Sequence, residues 1–248
     1  LLKTPHLLTE DPELIFKLFS FVARHQVRPA WDTERRIQAN LDKLSSMLRG
    51  SPRVWSQFSA LLRLPYADLA LSAMQECGFL PVLLPPWEGI QSLVIRDFHH
   101  RYTVDEHTLV AVRNVCELAR SQKEEQRRLA SLYAELERVD LLILALLLHD
   151  TGKAGDGANH AELSSNQAEE VLVSLQIPAD EREHIRFLIE DHLLLSSVMN
   201  SRDLEDEKTA EFIAHRTGTV ERLKMLTLLT YADISAVHPG AMTAWRRD

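Results

Sequence analysis

The stretch LLILALLLHDTGK, residues 141–153, decides the fold and points to a site. Eight apolar residues precede His149 and Asp150, and apart from Ile143 none of the eight is β-branched, Gly or Pro. This composition favours a buried helix that ends at the His-Asp pair, although the run alone does not exclude a strand. A buried carboxylate is costly unless it is paired or binds a metal. Taken alone, the pair is more typical of an interior histidine capped by Asp150, so the case for a metal depends on residues elsewhere.

The composition predicts an all-α protein. The chain has 248 residues, 45% of them hydrophobic, which is enough for a sizeable core. Leu, Glu, Arg and Ala are abundant, only eight residues are Gly, and alternating apolar segments are lacking. The Pro-rich stretch PVLLPPWEG, residues 81–89, is the most plausible internal boundary. We therefore expect an N-terminal helical subdomain over residues 1–95 and a second helical domain over residues 96–248.

Helical periodicity and capping residues place the main helices. Thr103 followed by Glu106 is a capping box, and Asn159 followed by Glu162 repeats an N-cap and N3 pair. The spacing predicts helices over residues 11–26, 33–49, 54–62, 67–77, from 103 onward, 159–176, 180–198 and 219–238.

Charge, apolar runs and cysteines exclude several classes of protein. A formal charge of −8 disfavours nucleic acid polymers as partners. Because no run reaches the roughly 18 apolar residues of a membrane span and no signal peptide opens the chain, we expect no membrane contact. Cys77 and Cys116 lack metal-type spacing and are expected to be core thiols in a reducing cytoplasm. The first residue is Leu1 rather than Met, so the chain is expected to be cut from something longer.

Six polar side chains are predicted to point inward or to lie at helix ends, which is unusual for these residue types. An inward histidine is more often a satisfied core residue, but a buried carboxylate on the last long helix is a second anomaly beside the His-Asp pair. Imidazole and carboxylate together suit one or two divalent ions of Mn, Fe, Mg, Ni or Zn. The candidate ligands are His107, His149, Asp150, His160, His192 and Asp233.

The order H, HD, D resembles the HD phosphohydrolase superfamily, and longer segments resemble one family within it. HHRYTVDEHTL (99–109), HDTGK (149–153), NHAEL (159–163), DHLLLS (191–196) and LLTYADISAVHPGAMTAW (228–245) are similar to segments of the HD domain in bacterial bifunctional uridylyltransferase/uridylyl-removing enzymes. The N-terminal segments DPELIFKLFSFVARH (11–25) and CGFLPVLLPPWEGI (77–90) resemble the helical linker that precedes that domain.

This resemblance implies an HD-domain helical bundle with a two-ion site. One ion would be held by His107, His149, Asp150 and Asp233, and a second by His160 and His192, with Asp150 bridging the two. Lys153 would offer its ammonium to a phosphate oxygen, or it is only a solvent-facing residue at a helix end. His100 would contact the substrate or brace the site. The implied catalytic residues are thus Asp150, Lys153 and His100, and the implied activity is removal of UMP from a uridylylated tyrosine of a PII signal protein.

The sequence departs from the family at several points, so other functions stay open. Thr151 and Gly152 replace an Ile-Ala pair, Asn159 replaces an Asp, and the loop before His160 differs in length. Two alternatives are an HD phosphohydrolase acting on free nucleotides or cyclic dinucleotides, and a metal-bound, non-catalytic regulatory module. The chain has no Gly-Ser and paired-Asp signature of a nucleotidyltransferase, so we do not expect it to uridylylate by itself.

Overall fold

The computed structural model describes residues 7–95, 102–155, 159–238 and 240–247, and regular structure in these ranges is helical throughout. No strand occurs in them, which confirms the predicted all-α class. Within the same ranges, no helix combines the length and the apolar character that crossing a bilayer requires.

Eight helices precede residue 96 in the described part of the chain. They are α1 (Leu7–Glu10), α2 (Leu14–His25), α3 (Trp31–Gln38), α4 (Leu41–Leu48), α5 (Arg53–Leu62), α6 (Ala67–Glu76), α7 (Leu80–Leu83) and α8 (Trp87–Ile90). The Pro-rich stretch forms the short α7 and α8. Helices α2, α5 and α6 pack together around Phe16, Phe19, Phe58 and Phe79, whose rings lie in contact.

The remaining helices surround α11. They are α9 (Val104–Leu118), α10 (Arg127–Ala134), α11 (Val139–Leu148), α12 (His160–Ser174), α13 (Ala179–Glu190), α14 (Leu194–Ser201), α15 (Glu207–Thr217), α16 (Val220–Val237) and α17 (Ala244–Arg247), with 3₁₀ turns at Glu124–Gln126 and Thr151–Ala154. The predicted helix start at Thr103 is confirmed, because Thr103 is the N-cap of α9 and its backbone N–H donates to Glu106 at 3.3 Å.

Helix α11 is the centre of the core. Residues 140–148 are all buried, as expected for a helix that is apolar on every side. It packs against α5, α9, α13 and α16, so helices from both sides of the Pro-rich stretch cover it. The hydrophobic core is continuous across the predicted boundary at residue 95, and the division into two domains stays a prediction. Cys77 and Cys116 are buried and free, as predicted for core thiols.

Two predicted helices are each broken in the structure. The segment 33–49 divides into α3 and α4 because the Asn40 side chain donates to the carbonyl of Arg36 at 2.8 Å, and this local bond competes with continued helix. The segment 180–198 divides at residues 191–193 into α13 and α14. His192 therefore lies in a turn, where its Nδ1 bonds to the carbonyl of Ile189 at 2.7 Å, and not on the apolar face of a helix as predicted.

Candidate metal centre

Helix α11 ends where its last turn delivers the His-Asp pair. His149 is the C-cap and is fully buried, and Asp150 is 2% exposed. His149 Nδ1 lies 2.7 Å from the carbonyl oxygen of Leu146. A carbonyl can only accept, so Nδ1 carries a proton, and in the neutral ring Nε2 presents a lone pair. The helix thus ends with a nitrogen and a carboxylate facing the same interior space.

The first group of candidate ligands joins α9, α11 and α16. Helices α9 and α16 pack along each other, and His107 Nε2 lies 2.9 Å from Asp233 Oδ1 across their contact. His149 Nε2 lies 3.3 Å from Asp150 Oδ2 and 3.7 Å from Asp233 Oδ1. One ligand atom from each of the four residues fits within 4.8 Å of the others. The structure brings together the four residues that the sequence analysis placed around one ion, and their role as ligands stays a prediction.

The second group shares Asp150 with the first. His160, the first residue of α12, places Nε2 at 3.8 Å from Asp150 Oδ1, and His192 places Nε2 at 4.0 Å from the same oxygen. Their ligand atoms also lie within 4.8 Å of one another. The histidines of the first group therefore lie nearer Oδ2 of Asp150 and those of the second nearer Oδ1, so each group faces a different oxygen of this carboxylate.

Buried atoms in the cluster lack the partners that such atoms normally have. Among the described residues, His149 Nε2 and Asp150 Oδ1 are buried and accept no hydrogen bond. The Nε2 atoms of His160 and His192 face each other at 3.3 Å, and the proton of the His192 ring is committed to Ile189. The two buried atoms without a partner, His149 Nε2 and Asp150 Oδ1, cost free energy unless a cation satisfies them. This set of nitrogen and oxygen donors therefore fits one or two divalent ions.

The carboxylates dominate the electrostatics. Burial alone would raise the pKa of Asp150, but the neighbouring His149 and Lys153 outweigh it and hold that pKa well below its usual range. Burial would lower the pKa of His149, yet the charges of Asp150 and Asp233 raise it to about 10. The cluster thus attracts positive charge strongly, either as a proton on His149 or as a metal ion.

The two histidines of the second group are held neutral. Burial lowers the pKa of His192 to about 4, helped by the nearby His149 charge, and burial is also the main cause of the lowered pKa of His160. Neutral imidazole is the form that ligates metals, so these rings are in the required state without deprotonation.

The remaining predicted site residues have different outcomes. Lys153 lies at the cluster, with Nζ 2.6 Å from Asp150 Oδ2, and its contact with phosphate stays a prediction. His100 lies outside the described residues. Asn159 is the N-cap of α12, but its side chain donates to Glu162 at 3.2 Å and does not cap the backbone.

One contact at the site was not predicted. The N–H of Gly152 donates to Ser164 Oγ at 2.9 Å, inside the protein. Nothing in the sequence distinguishes Ser164 from the adjacent Ser165. The only available signal was that Gly152 departs from the Ile-Ala pair of the resembling family.

The fold and site define an all-α protein with a buried His/Asp cluster able to hold divalent metal. No protein-family model matches the chain. Over 247 residues it is 31% identical to the bifunctional uridylyltransferase/uridylyl-removing enzyme of Rhodopseudomonas palustris. The aligned region covers 99% of this chain and 26% of that enzyme. The enzymes of the same name from Bradyrhizobium diazoefficiens and Vibrio cholerae are 31% and 30% identical, over 98% and 99% of this chain and 26% and 28% of theirs.

These matches confirm the resemblance seen in the motifs. The chain is homologous, over nearly its whole length, to one segment of bifunctional uridylyltransferase/uridylyl-removing enzymes. It spans about a quarter of the length of these relatives.

Proposed function

We propose that the chain is a metal-dependent phosphodiesterase that removes UMP from a uridylylated tyrosine of a PII-type protein. Two observations support this proposal. The relatives are named as uridylyl-removing enzymes. The observation that carries the proposal is Asp150, whose two oxygens lie between two groups of imidazole and carboxylate ligands with buried acceptors unsatisfied.

The reaction class follows from this donor set. When bound, one or two ions would lower the pKa of a water molecule and stabilise both the attacking and the leaving oxygen of a phosphodiester displacement. In that reaction the bond between phosphorus and the phenolic oxygen breaks, a bond between phosphorus and water oxygen forms, and the phenolate gains a proton.

The chain itself would hold the ligands in place. His149 and His192 each use Nδ1 to bond a backbone carbonyl three residues earlier, which fixes the ring and aims Nε2 at the cluster. Asp150 would bind both ions, and His107 of α9 with Asp233 of α16 would complete the first group.

Lys153 would bind the substrate phosphate. Its Nζ has three protons, and the bond to Asp150 uses one of them. Its side chain is 18% exposed, so the ammonium lies at the edge of the buried cluster, where a non-bridging phosphate oxygen can reach it.

A free nucleotide is the second candidate substrate. A cavity of about 410 Å³ opens beside His160, lined mainly by polar side chains that include Asn159, Asn166 and Glu190. This volume lies within the range of small-molecule sites, so it favours a substrate that enters without a protein attached.

One experiment separates these readings. Mn²⁺-loaded protein is assayed on uridylylated PII, on the 4-nitrophenyl ester of UMP, on bis(4-nitrophenyl) phosphate and on nucleoside 5′-monophosphates. The proposal expects UMP release from the PII protein at a higher kcat/KM than from any small ester. Fastest turnover of a free nucleotide would favour the second candidate.

The controls use the same preparation. Chelation by EDTA should abolish turnover, and Mn²⁺ should restore it. His184→Ala is a matched histidine control, because His184 is half-buried on α13, belongs to neither ligand group, and its Nδ1 bonds to the Asp180 carbonyl. Binding of ions without hydrolysis of any phosphoester would contradict the proposal and favour the regulatory module.

A further inference from the structure

Two backbone segments approach closely at Gly152. This residue lies in the 3₁₀ turn after Asp150, and the first turn of α12 packs against it. A Cβ added to Gly152 would overlap the carbonyl oxygen of His160 and would lie 2.7 Å from the backbone nitrogen of Ser164. It would also lie 2.8 Å from Leu163 Cβ. Backbone atoms cannot swing aside as a side-chain end can, so any side chain here would displace α12.

A hydrogen bond holds the two segments together. The Gly152 N–H donates to Ser164 Oγ at 2.9 Å, and both residues are buried. Ser164 lies one helical turn after His160 on α12. The absent side chain permits the contact, and the bond to Ser164 fixes it.

This contact positions His160, which belongs to the second ligand group and not to the first. His160 is at the start of the displaced turn, 3.3 Å from His192 Nε2 and 3.8 Å from Asp150 Oδ1. The first group comes from α9, the end of α11 and α16, none of which contributes an atom to the clash at Gly152. Clearing the clash needs a shift of roughly 1 Å, whereas ligand sites tolerate about 0.5 Å.

We propose that Gly152 is a positioning residue that determines whether this chain holds a second divalent ion. The inference rests on the proposed metal site, and it concerns the placement of His160 and not the reaction itself. In this chain the residue at position 152 must lack a side chain, because α12 begins against its backbone.

The test counts ions in Gly152→Ala. Calorimetric titration with Mn²⁺ should give two sites in the parent protein and one strong site in the variant. The affinity of the second site should fall by about 10-fold to 100-fold, the usual effect of changing a partner of a metal ligand. Electron paramagnetic resonance should show a coupled Mn²⁺ pair in the parent and an isolated ion in the variant. A general loss of structure would instead weaken both sites.

Two other variants serve as the positive and the negative control for Gly152→Ala. His160→Ala should also leave one strong site, because it removes the same ligand directly. Gly155→Ala is the matched control: its Cβ would meet the flexible end of Leu163 at 3.1 Å, so it should keep two sites. If Gly152→Ala does not fold, Ser164→Ala decides, and a second-site affinity unchanged in Ser164→Ala would overturn the proposal.

The outcomes remain separate from those of the proposed function. Two strong sites in Gly152→Ala, or a parent protein that binds only one ion, would overturn the role of Gly152. A parent protein that binds two ions and hydrolyses no phosphodiester would contradict the proposed function and leave the ion count of Gly152→Ala as a valid test.

Discussion

The two ends of α11 each carry a buried aspartate, and the two carboxylates are treated in opposite ways. At the N-terminal end, Asp140 is fully buried and both of its oxygens are paired. Oδ1 binds Arg63 at 2.8 Å and Arg138 at 3.1 Å, and Oδ2 binds Ser59 at 2.6 Å and Arg138 at 2.9 Å. At the C-terminal end, Asp150 Oδ1 accepts no hydrogen bond from the described residues.

The helix dipole widens this difference. Asp140 lies in the first turn of α11, where the partial positive charge of the helix favours a carboxylate. Asp150 follows the last turn, where the partial negative charge opposes it. The protein pairs both oxygens of Asp140 with its own side chains, whereas at Asp150 Lys153 binds Oδ2 and Oδ1 is left without a donor among the described residues. Burial of an acidic residue alone therefore does not identify a functional site. A carboxylate oxygen that is buried and has no hydrogen-bond donor is the more informative sign.

The largest expected effect is the loss of activity in Asp150→Asn. Changing an outer partner of a metal ligand typically costs 10-fold to 100-fold, so a ligand shared by both groups should cost about 1000-fold or more in kcat. Phosphodiesterase assays with a Mn²⁺ titration measure this. Asp140→Asn, assayed at a temperature where it is folded, is the control and should keep the parent kcat. Equal losses in both variants would remove the distinction between the two ends of α11.

Bound metal should raise the free energy of unfolding in a way that depends on Asp150 and not on Asp140. An ion at 100 times its Kd adds about 2.7 kcal/mol to the free energy of unfolding, because it binds the native state. Urea unfolding with Mn²⁺ and with EDTA should show this difference for the parent protein and for Asp140→Asn. Asp150→Asn should show little of it. The same Mn²⁺ effect in Asp150→Asn would place the ion elsewhere.

Asp140→Asn should lower the free energy of unfolding by about 2 kcal/mol even without metal. Removing one member of a buried ion pair costs about 3–5 kcal/mol, and the cost is smaller here because the two arginines remain partly exposed. Urea titration of the metal-free protein measures it. Asp32→Asn is the matched control: Asp32 is an exposed partner of Arg36, and its loss should cost under about 1 kcal/mol.

The smallest effect is a difference in acid stability. Burial would raise the pKa of Asp140, but the hydrogen bonds and charge of Arg138 outweigh it and the pKa is lowered from 3.8. Its contribution is therefore complete above the unfolded pKa and is lost as the pH falls toward the folded pKa. The stability gap between the parent and Asp140→Asn should narrow from pH 6 to pH 3.5. A gap that widens over this range would contradict the assignment.

The sequence predicted the C-terminal end of α11 far better than the N-terminal end. An uninterrupted apolar run before His149 forces that pair inside, so its placement follows from residues adjacent in the chain. Asp140 resembles an ordinary first-turn acid. Its partners Ser59 and Arg63 lie about 80 positions earlier, and only the packing of α5 on α11 brings them near.

The sequence analysis also failed to predict the breaks within two helices. The apolar spacing of residues 33–49 and 180–198 is helical throughout. This spacing gives no sign of a single side chain that hydrogen-bonds to a backbone carbonyl three or four residues earlier. Asn40 does so to Arg36 and His192 to Ile189. At His192 the error matters, because the turn aims its ring at Asp150.

The packing of α5 on α11 also bears on how the protein can be divided. Phe58, Leu61 and Leu62 are fully or almost fully buried. Together with Ser59 and Arg63 they cover one side of α11, the most apolar of the helices in the described ranges. A shortened protein beginning at residue 96 would expose that apolar side of α11 to water and would be prone to aggregate. The segment before residue 96 therefore covers part of α11, the helix that ends at the candidate metal ligands His149 and Asp150.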